Sequence, residues 1–336
     1  MAGKSQEAPG NSRRIAHSSI SVIVVNCNSG DLLVGCIDAL AKQTFPVREI
    51  IVVDNASIDS SLAHLEERIQ SLKVVRLNHN SGFAAANNLA AELAADSEWI
   101  ALLNPDAFPQ PAWLESLMRA ADAFPDYSCF ASRMIQAKQP TLLDGAGDAY
   151  HVSGRVWRRG YGMPADGHFG TREEVFSACA AAALYRRSAI EAAGGFDEDF
   201  FCYLEDVDLG FRLRLAGYRC LYVPDAVVYH VGSATTGKDS DFAVYHGHRN
   251  LVWTYVKNMP GPLFWLYLPA HVAANIAGIA WYALRNRWRI ILRAKWDAIK
   301  GLRQMWRKRK DIQARRAVSA WAIRNAMEKG WPRRRR

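Results

Sequence analysis

Short β-branched runs alternate with helical segments through the first 124 residues, and this alternation constrains the fold more than any other feature. Apolar runs typical of buried strands occupy Ile20–Val25, Glu49–Asp54, Lys73–Leu77 and Trp99–Leu103. Segments with helical spacing follow them at Leu32–Gln43, Leu62–Ser71, Ala84–Ala95 and Pro111–Phe124. Strands that alternate with helices predict a parallel sheet with helices on both faces, so we expect an α/β fold.

Polar residues stand at the end of each predicted strand. In open α/β sheets ligands bind beyond the carboxyl ends of the strands, so these residues should outline one site. They are Asn26 and Asn28 after the first strand, Asp54 at the end of the second, Asn80 and Gly82 after the third, and Asn104 and Asp106 after the fourth.

Two of these strand ends carry a carboxylate with a definite chemical use. Asp54 can accept a hydrogen bond from a nucleobase N–H, and Asp106 can bind a divalent cation that neutralises a diphosphate leaving group. Each also has an ordinary alternative. The Asp-Asn-Ala-Ser run at 54–57 suits a turn or a helix cap, and Asn104-Pro105-Asp106 suits a turn.

A cluster of acids marks the second half of the chain. Glu205-Asp206-Val207-Asp208 follows an aromatic run at 200–203 and begins a helix predicted over Glu205–Leu215. Mutual repulsion and burial near aromatic rings both raise a carboxyl pKa, which suits one of these acids to act as a general base. Capping of the helix is the alternative. His230 ends a further strand-like run and is either a ligand or a structural residue.

The remainder of residues 130–224 is irregular, and its seven glycines between 145 and 170 predict long loops of the kind that contact substrates. The six cysteines are scattered, show no metal-ligand spacing and indicate reduced thiols. Residues 1–18 are polar and lack the apolar stretch of a secretion signal, so we interpret them as a disordered tail.

The C-terminal region joins an uncharged stretch to a strongly basic one. Residues 258–284 contain no Asp, Glu, Lys or Arg, whereas residues 285–336 contain 19 Lys and Arg against 3 Asp and Glu. Apolar residues recur in the basic part at three- and four-residue steps: Trp288, Leu292, Trp296, Ile299, Leu302 and Trp306. This pattern predicts a basic amphipathic helix that lies on an anionic membrane surface.

We do not expect residues 258–284 to cross a membrane as a single helix. The stretch is long enough to span a bilayer, which takes ~20 residues, but a single crossing would separate the basic tail from the domain that carries the motifs. Basic residues near a span tend to stay on the cytoplasmic side, and Pro269 favours a bend. A re-entrant or interface-lying helix pair satisfies both conditions, and a buried core helix is the alternative.

Taken in order, these motifs resemble those of the family 2 glycosyltransferases with the GT-A fold. The matching segments are 26–29 (NCNS), 54–59 (DNASID), 80–88 (NSGFAAANN), 103–106 (LNPD), 194–198 (GGFDE), 205–209 (EDVDL) and His230. The similarity covers about residues 19–258 and is strongest to bacterial rhamnosyltransferases that build surface polysaccharides on lipid carriers. It implies a Rossmann-like, mostly parallel sheet with flanking helices.

The resemblance also implies a role for each matching residue. Asp206 would be the base that deprotonates the acceptor hydroxyl, and Glu205 would assist by positioning the acceptor, which Asp197 would also contact. Asp106 and His230 would hold Mg²⁺ or Mn²⁺. The nucleotide sugar would be bound by Asn26, Asn28, Asp54, Asn80, Gly82, Asn87, Asn104 and Asp106. Asn104 departs from the family pattern, since an amide binds a cation more weakly than the acid that normally stands there.

The implied reaction is an inverting sugar transfer to a lipid-linked saccharide, with L-rhamnose from dTDP-L-rhamnose as the expected donor. Galactofuranose, mannose or N-acetylglucosamine is the alternative sugar. The implied organisation is a tail at 1–18, a catalytic domain at 19–258 and a membrane-associating helical region at 259–336. The protein would be peripheral or monotopic at the cytoplasmic face of a bacterial membrane.

Two other functions fit parts of the sequence. A nucleotidyltransferase would also bind a nucleotide and a metal, but Asn26–Asp31 has one glycine and no Lys or Arg to hold a triphosphate. A nucleic-acid-binding protein would use the basic tail and its tryptophans. That tail follows an uncharged aromatic stretch, which suits lipid better, so we expect no nucleic-acid partner.

Overall fold

The computed structural model describes residues 19–63, 65, 71–232 and 240–330, so the predicted tail at 1–18 lies outside the described residues. The strands are β1 (Ile20–Asn26), β2 (Glu49–Asp54), β3 (Leu72–Arg76), β4 (Trp99–Leu103), β5 (Ala107–Pro109), β6 (Tyr127–Gln136), β7 (Leu143–Ala146), β8 (Asp148–Tyr150), β9 (Val156–Arg158), β10 (Glu173–Val175), β11 (Ala182–Arg186) and β12 (Arg219–His230). The helices are α1 (Asp31–Leu40), α2 (Gly82–Leu93), α3 (Trp113–Ala123), α4 (Arg187–Ala193), α5 (Glu205–Leu215), α6 (Asp241–Asn258), α7 (Gly261–Leu284), α8 (Trp288–Lys300), α9 (Leu302–Ala314) and α10 (Ala320–Ala326).

A ten-stranded sheet forms the centre of the molecule, in the order β10-β12-β6-β11-β4-β1-β2-β3, with β5 paired to β12 and β7 to β6. The strands β3, β2, β1 and β4 are all parallel, which confirms the prediction for the first half of the chain. From β11 outward the pairing is mixed, because β11 is antiparallel to both neighbours while β12 and β6 are parallel.

The predicted elements of the first half agree with the structure to within a few residues, and α5 has the predicted bounds. The helix predicted at Leu62–Ser71 falls mostly outside the described residues. The prediction of long loops for residues 130–224 was wrong where this part contains most of β6, β7–β11 and α4, but it agrees with the structure at residues 159–172, the connection between β9 and β10 that contains four of the seven glycines. Other glycines of this part occupy close turns. Gly147, for example, has a φ of 77° and lies between β7 and β8.

Helices cover both faces of the sheet, as the alternation predicts. Alternate residues of β1 enter opposite cores: Val22 and Val24 pack with Leu33 and Trp113 on one face, and Ile23 packs among the alanines of α2 on the other. Because helices bury both faces of the sheet, the central strands consist of continuous runs of apolar residues. Because β1, β2 and β4 are parallel, their polar carboxyl ends lie at one edge of the sheet.

The C-terminal helices pack beside α5 and α6 and differ from the predicted arrangement. The single amphipathic helix predicted after residue 285 is two helices, because α8 ends at Lys300 and α9 begins at Leu302, with Gly301 between them. α7 runs as one helix that includes Pro269. Within the described residues, α7 is long and apolar enough to cross a membrane, and only 17% of its most apolar window is buried.

Candidate active site

A cavity of about 1150 Å³ opens at the polar edge of the sheet. Its wall includes seven residues predicted from the sequence: Asn80, Gly82, Asn104, Asp106, Glu205, Asp206 and His230. Asp106 follows β4, His230 ends β12, and the two acids begin α5. Residues from distant parts of the chain therefore meet in one chamber.

The predicted nucleotide-binding residues after β1 and β2 form a hydrogen-bonded floor beside this cavity. Asn26 is buried, and its Nδ2 donates to Asp54 Oδ1 at 2.9 Å and to the hydroxyls of Ser57 and Ser61. Asn28 accepts from the backbone N–H of Ile58 at 2.8 Å. Asp54 itself does not line the cavity, whereas the next residue, Asn55, does. This network fixes the shape of the chain at the ends of β1 and β2.

The loop between β3 and α2 brings the backbone close to the opposite wall. Asn80 Oδ1 accepts from the N–H of Gly82 at 2.9 Å, and Gly82 has a φ of 86°. A Cβ at Gly82 would lie 2.6 Å from the ring of Phe201, so only glycine fits here. Asn87 is one turn further along α2, buried, and donates to the carbonyl of Phe83 at 2.8 Å. It does not reach the cavity wall.

Asp106 and His230 belong to a chain of polar contacts. His230 Nε2 lies 3.3 Å from Asp106 Oδ1, and His230 Nδ1 lies 2.8 Å from Asp144 Oδ2. Asp144 also accepts from Arg158 Nη1 at 2.6 Å. Burial opposes protonation of His230, but the two carboxylates outweigh it and raise the histidine pKa to about 9.

The residues at this point fit a divalent cation. A carboxylate, a neutral imidazole and an amide oxygen from Asn104 are donors that Mg²⁺ and Mn²⁺ accept. Since His230 must lose its proton to bind a metal, cation binding here would be favoured as the pH rises.

A second group of possible ligand atoms lies nearby, where the carboxylates of Asp148 and Asp206 and the thiol of Cys179 are within 4.8 Å of one another. Arg158 Nη2 approaches Cys179 Sγ at 3.0 Å, and burial raises the pKa of this thiol well above its usual value. A guanidinium beside a protonated thiol disfavours a cation, so we assign no metal to this group.

The acids that begin α5 sit in contrasting surroundings. Asp206 lies on the cavity wall with one carboxylate oxygen 3.0 Å from the N–H of Ala180 and the other 2.8 Å from the N–H of Val207. Burial, followed by the charge of Asp206, raises the pKa of Glu205 well above its usual value. Glu205 Oε2 has no hydrogen-bond partner within the part of the chain that the structure describes. A neutral Glu205 can therefore donate a hydrogen bond into the cavity.

Asp197 is placed elsewhere. Its side chain is bound by the ammonium groups of Lys257 and Lys308 and does not line the cavity. Burial opposes its ionisation, yet the charges and hydrogen bonds of Lys257 and Lys308 together outweigh burial and lower the pKa of Asp197. This carboxylate ties α6 and α9 to the 3₁₀ turn at 198–200, and we do not carry its predicted acceptor contact forward.

Besides Lys138, which follows β6, sequence reasoning missed three charged residues of the cavity: Asp144, Asp148 and Arg158. They lie on β7, β8 and β9, in the part predicted to be loops. The available signal was the run at 142–150 (LLDGAGDAY), where two acids interrupt an apolar and glycine-rich segment. A buried acid needs a partner of opposite charge or a hydrogen-bond donor. Clusters of buried ionisable side chains are typical of functional sites.

Comparisons with known proteins agree with this geometry. The family model for glycosyl transferase family 2 matches residues 21–194, and the model for glycosyl transferase family group 2 matches residues 167–307. An N-acetylglucosaminyl-diphospho-decaprenol L-rhamnosyltransferase of Mycobacterium tuberculosis is 30% identical over 251 residues, covering 68% of this chain and 81% of the relative. The O-antigen biosynthesis protein RfbC of Myxococcus xanthus is 30% identical over 66% of this chain, which spans 18% of that protein.

Solved structures show the same fold. The mannosyltransferase PcManGT of Pyrobaculum calidifontis, in complex with GDP-Man and Mn²⁺, has a TM-score of 0.53 at 18% identity, with 92% of this chain and 87% of that chain covered. Residues 1–349 of TarS from S. aureus, in complex with UDP-GlcNAc, have a TM-score of 0.55 at 18% identity, covering 88% and 92%. The chain thus belongs to glycosyl transferase family 2 and is a glycosyltransferase similar to bacterial rhamnosyltransferases.

Proposed function

We propose that this glycosyltransferase moves a sugar, with inversion, from a nucleotide-sugar donor to a lipid-linked saccharide. The observation that carries the proposal is one cavity that contains both the Asp106–His230 pair and the Glu205–Asp206 pair. The first pair suits a diphosphate with its cation, and the second suits an acceptor hydroxyl.

The two backbone N–H groups that bind Asp206 hold its carboxylate in a fixed orientation. This carboxylate takes the proton of the acceptor hydroxyl as the oxygen attacks the anomeric carbon. The bond from that carbon to the diphosphate oxygen breaks, and the nucleoside diphosphate leaves on the opposite face. Glu205 donates a hydrogen bond from its buried carboxyl and orients the acceptor. In-line displacement inverts the anomeric centre.

Asp106 and His230 would hold Mg²⁺ or Mn²⁺, with Asn104 as a weaker ligand. The cation would neutralise charge that develops on the leaving diphosphate. Asn26, Asn28, Asp54 and Asn80 shape the end of the site that receives the nucleoside. Support for a metal comes from the donor set and from the Mn²⁺ in the complex of the mannosyltransferase with a similar fold.

L-Rhamnose from dTDP-L-rhamnose is our first choice of donor, and a polyprenyl-diphosphate-linked saccharide is our choice of acceptor. The relative named N-acetylglucosaminyl-diphospho-decaprenol L-rhamnosyltransferase supports L-rhamnose as the sugar and such a saccharide as the acceptor, at 30% identity. Galactofuranose, mannose and N-acetylglucosamine remain the alternative sugars. We expect no nucleic-acid substrate.

We also propose that residues 259–336 hold the catalytic domain, residues 19–258, on the cytoplasmic face of a bacterial membrane. α7 and α8 present large apolar side chains to solvent, and we call these the apolar surface: Trp265, Leu266, Ile276, Trp281, Leu284, Trp288, Leu292, Trp296 and Ile299. Cations border them, as where the Arg285 guanidinium lies 3.9 Å from the ring of Trp281. Apolar side chains interleaved with basic ones suit the interface of an anionic bilayer.

The reaction is tested by incubating the protein with a panel of nucleotide sugars and N-acetylglucosaminyl-diphospho-decaprenol, with and without Mn²⁺. We expect donor-dependent thermal stabilisation, release of the nucleoside diphosphate and a product with inverted anomeric configuration. Release of pyrophosphate, or retention of configuration, would contradict the proposal.

The topology is tested in intact spheroplasts with a membrane-impermeant maleimide. A cysteine introduced at the exposed Lys329 should be labelled only after permeabilisation, because catalytic domain and tail lie on the same side. Labelling from outside would show that α7 crosses the bilayer, and a fully soluble protein would exclude membrane association.

A further inference from the structure

The mouth of the cavity carries a group of aromatic rings that the proposed reaction leaves without a role. Phe201, Tyr203 and Phe242 line it, and His246 lies one turn along α6 from Phe242. The rings of Phe201 and His246 stack at 5.4 Å with planes 22° apart, and Phe242 lies 4.4 Å from His246 and 6.1 Å from Tyr203. We call these four residues the aromatic mouth.

The backbone is held in an unfavourable conformation to present these rings. Phe201, Tyr203 and Leu204 have φ values of 63°, 68° and 65°, in the left-handed region that L side chains adopt at an energetic cost. Non-glycine residues persist in such conformations when the surrounding structure enforces them, and they cluster at ligand sites.

Asn250 of α6 provides that enforcement. It is fully buried, and its Nδ2 lies 3.0 Å from the carbonyl of Phe200, 2.9 Å from that of Cys202 and 2.7 Å from that of Tyr203. The same loop leads directly into Glu205 and Asp206. The rings and the acids are therefore positioned by one rigid segment.

The aromatic mouth also adjoins the apolar surface. Asp241, the residue before Phe242, accepts a hydrogen bond from Arg287 Nε at 3.2 Å. Arg287 lies in the turn between α7 and α8, three residues after Leu284. Leu284 is the last residue of α7 and is 87% exposed. A molecule anchored in a bilayer against the apolar surface would meet these rings before it reached Asp206.

We propose that the aromatic mouth binds the saccharide ring of the lipid-linked acceptor by stacking against its apolar C–H face. This inference rests on the proposed function and adds the site that recognises the acceptor. A pyranose combines a C–H face with a polar edge, and flat aromatic side chains next to buried carboxyl groups complement both. His246 serves as a neutral ring, because burial, aided by the charge of Arg249, lowers its pKa to about 4.

Phe242→Ala tests the proposal, with Phe124→Ala as the matched control. The two phenylalanines are 38% and 37% exposed, but Phe124 lies at the end of α3, outside the cavity wall. We would measure transfer to N-acetylglucosaminyl-diphospho-decaprenol in vesicles and to its short geranyl analogue in solution. Phe242→Ala should raise KM for both acceptors about two- to tenfold, the range of an aromatic contact, without changing KM for the donor.

Phe242→Tyr keeps the ring and should restore KM to near the wild-type value, and Phe124→Ala should leave it unchanged. If Phe242→Ala leaves the acceptor KM unchanged in an otherwise active enzyme, this inference is wrong but the proposed function still stands. A KM raised only for the decaprenyl acceptor would also overturn the inference, since the rings would then bind lipid. A wild-type protein that transfers no sugar to either acceptor would overturn the proposed function and this inference with it.

Discussion

Tryptophan side chains occupy opposite environments in the catalytic domain and in the C-terminal helices. Trp99 and Trp113 pack inside the core of the sheet, and Trp113 is fully buried with its Nε1 donating to Ser132 Oγ at 2.8 Å. Trp265, Trp281 and Trp296 are instead 66%, 54% and 62% exposed. The first pair forms part of a core, and the second set faces outward on α7 and α8. The difference is consistent with our proposal that the outward faces of α7 and α8 contact a membrane.

Charged groups differ in the same way. In the catalytic domain a buried cation has fixed partners, as where the Lys257 ammonium lies 2.7 Å from Asp208 Oδ1 and also binds Asp197. On the outward faces of the C-terminal helices some cations lie over exposed rings, as Arg289 does over Trp288 at 5.2 Å, whereas Lys295 and Lys308 of the same helices have fixed protein partners. Buried charges require compensation, whereas exposed cations remain available for anionic headgroups.

The largest effect we expect separates chemistry from membrane attachment. Asp206→Asn should lower turnover about 10²–10⁴-fold with either a soluble or a membrane-bound acceptor, because the amide cannot take the proton. Donor binding and vesicle binding should stay near wild type. Asp225→Asn, at an exposed ion pair with Arg172, is the control. If Asp206→Asn retains half of the wild-type rate, Asp206 is not the base.

The same substitution in the two regions should have opposite consequences. Trp113→Ala should lower the free energy of unfolding by about 3–5 kcal/mol, because it leaves a cavity in the core. Trp296→Ala should change it by less than about 0.5 kcal/mol but weaken binding to vesicles. Urea unfolding and vesicle sedimentation measure the two effects. Equal destabilisation by both variants would mean that α8 is covered by protein in solution.

Asp106→Ala should weaken donor binding by about 1.5–3 kcal/mol, the usual range for a hydrogen bond or contact with a charged group, and remove its dependence on Mn²⁺. Asn104→Asp supplies the missing acid and should increase that dependence. Titration of Mn²⁺ against donor affinity, followed by calorimetry, measures both. An unchanged metal response in Asp106→Ala would place the cation elsewhere or show that none is used.

Asp106 also illustrates what a single sequence can predict. Its place on the cavity wall could be predicted because it follows an apolar strand of a parallel sheet, where local pattern and fold together place polar residues at one edge. The same holds for Asn80 and Asn104, whereas the acids that begin α5 could be predicted from their position at the start of a helix after an aromatic run. Such residues belong to elements whose periodicity is visible along the chain.

Asp144, the second partner of His230, could not be predicted in this way. It stands 86 positions earlier on β7, a four-residue strand too short to show hydrophobic alternation along the sequence. The ion pairs of Asp197 could not be predicted either. Its partners Lys257 and Lys308 lie far along the chain, on α6 and α9, and reach Asp197 only when these helices pack near α5. Contacts across long sequence separations are set by packing, which local patterns do not encode.

Asp148, which the sequence analysis did not identify, is a buried acid that should lower the free energy of unfolding as the pH rises. Burial, with the charge of Asp206, raises its pKa to about 8, so the folded protein holds a proton there that the unfolded chain releases near its ordinary carboxyl pKa. The unfolding free energy should therefore fall as the pH rises through this window and level off above it. Asp148→Asn removes the effect, and its advantage over wild type should grow by up to about 1.4 kcal/mol per pH unit. An advantage independent of pH would contradict the assignment.

Single cations of the C-terminal helices should have the smallest effects, and these should appear only on a charged bilayer. Arg289→Gln should weaken binding to vesicles that contain phosphatidylglycerol by about 1 kcal/mol, or roughly fivefold, because one cation near the surface is lost. Arg119→Gln, which removes an exposed arginine of α3 in the catalytic domain, is the matched control and should have no effect. The difference between the two variants should vanish on neutral phosphatidylcholine vesicles and shrink as salt is added. If both substitutions weaken vesicle binding equally, the whole protein, rather than its C-terminal helices, is attracted to the membrane. The two regions would then not differ in how their charges act.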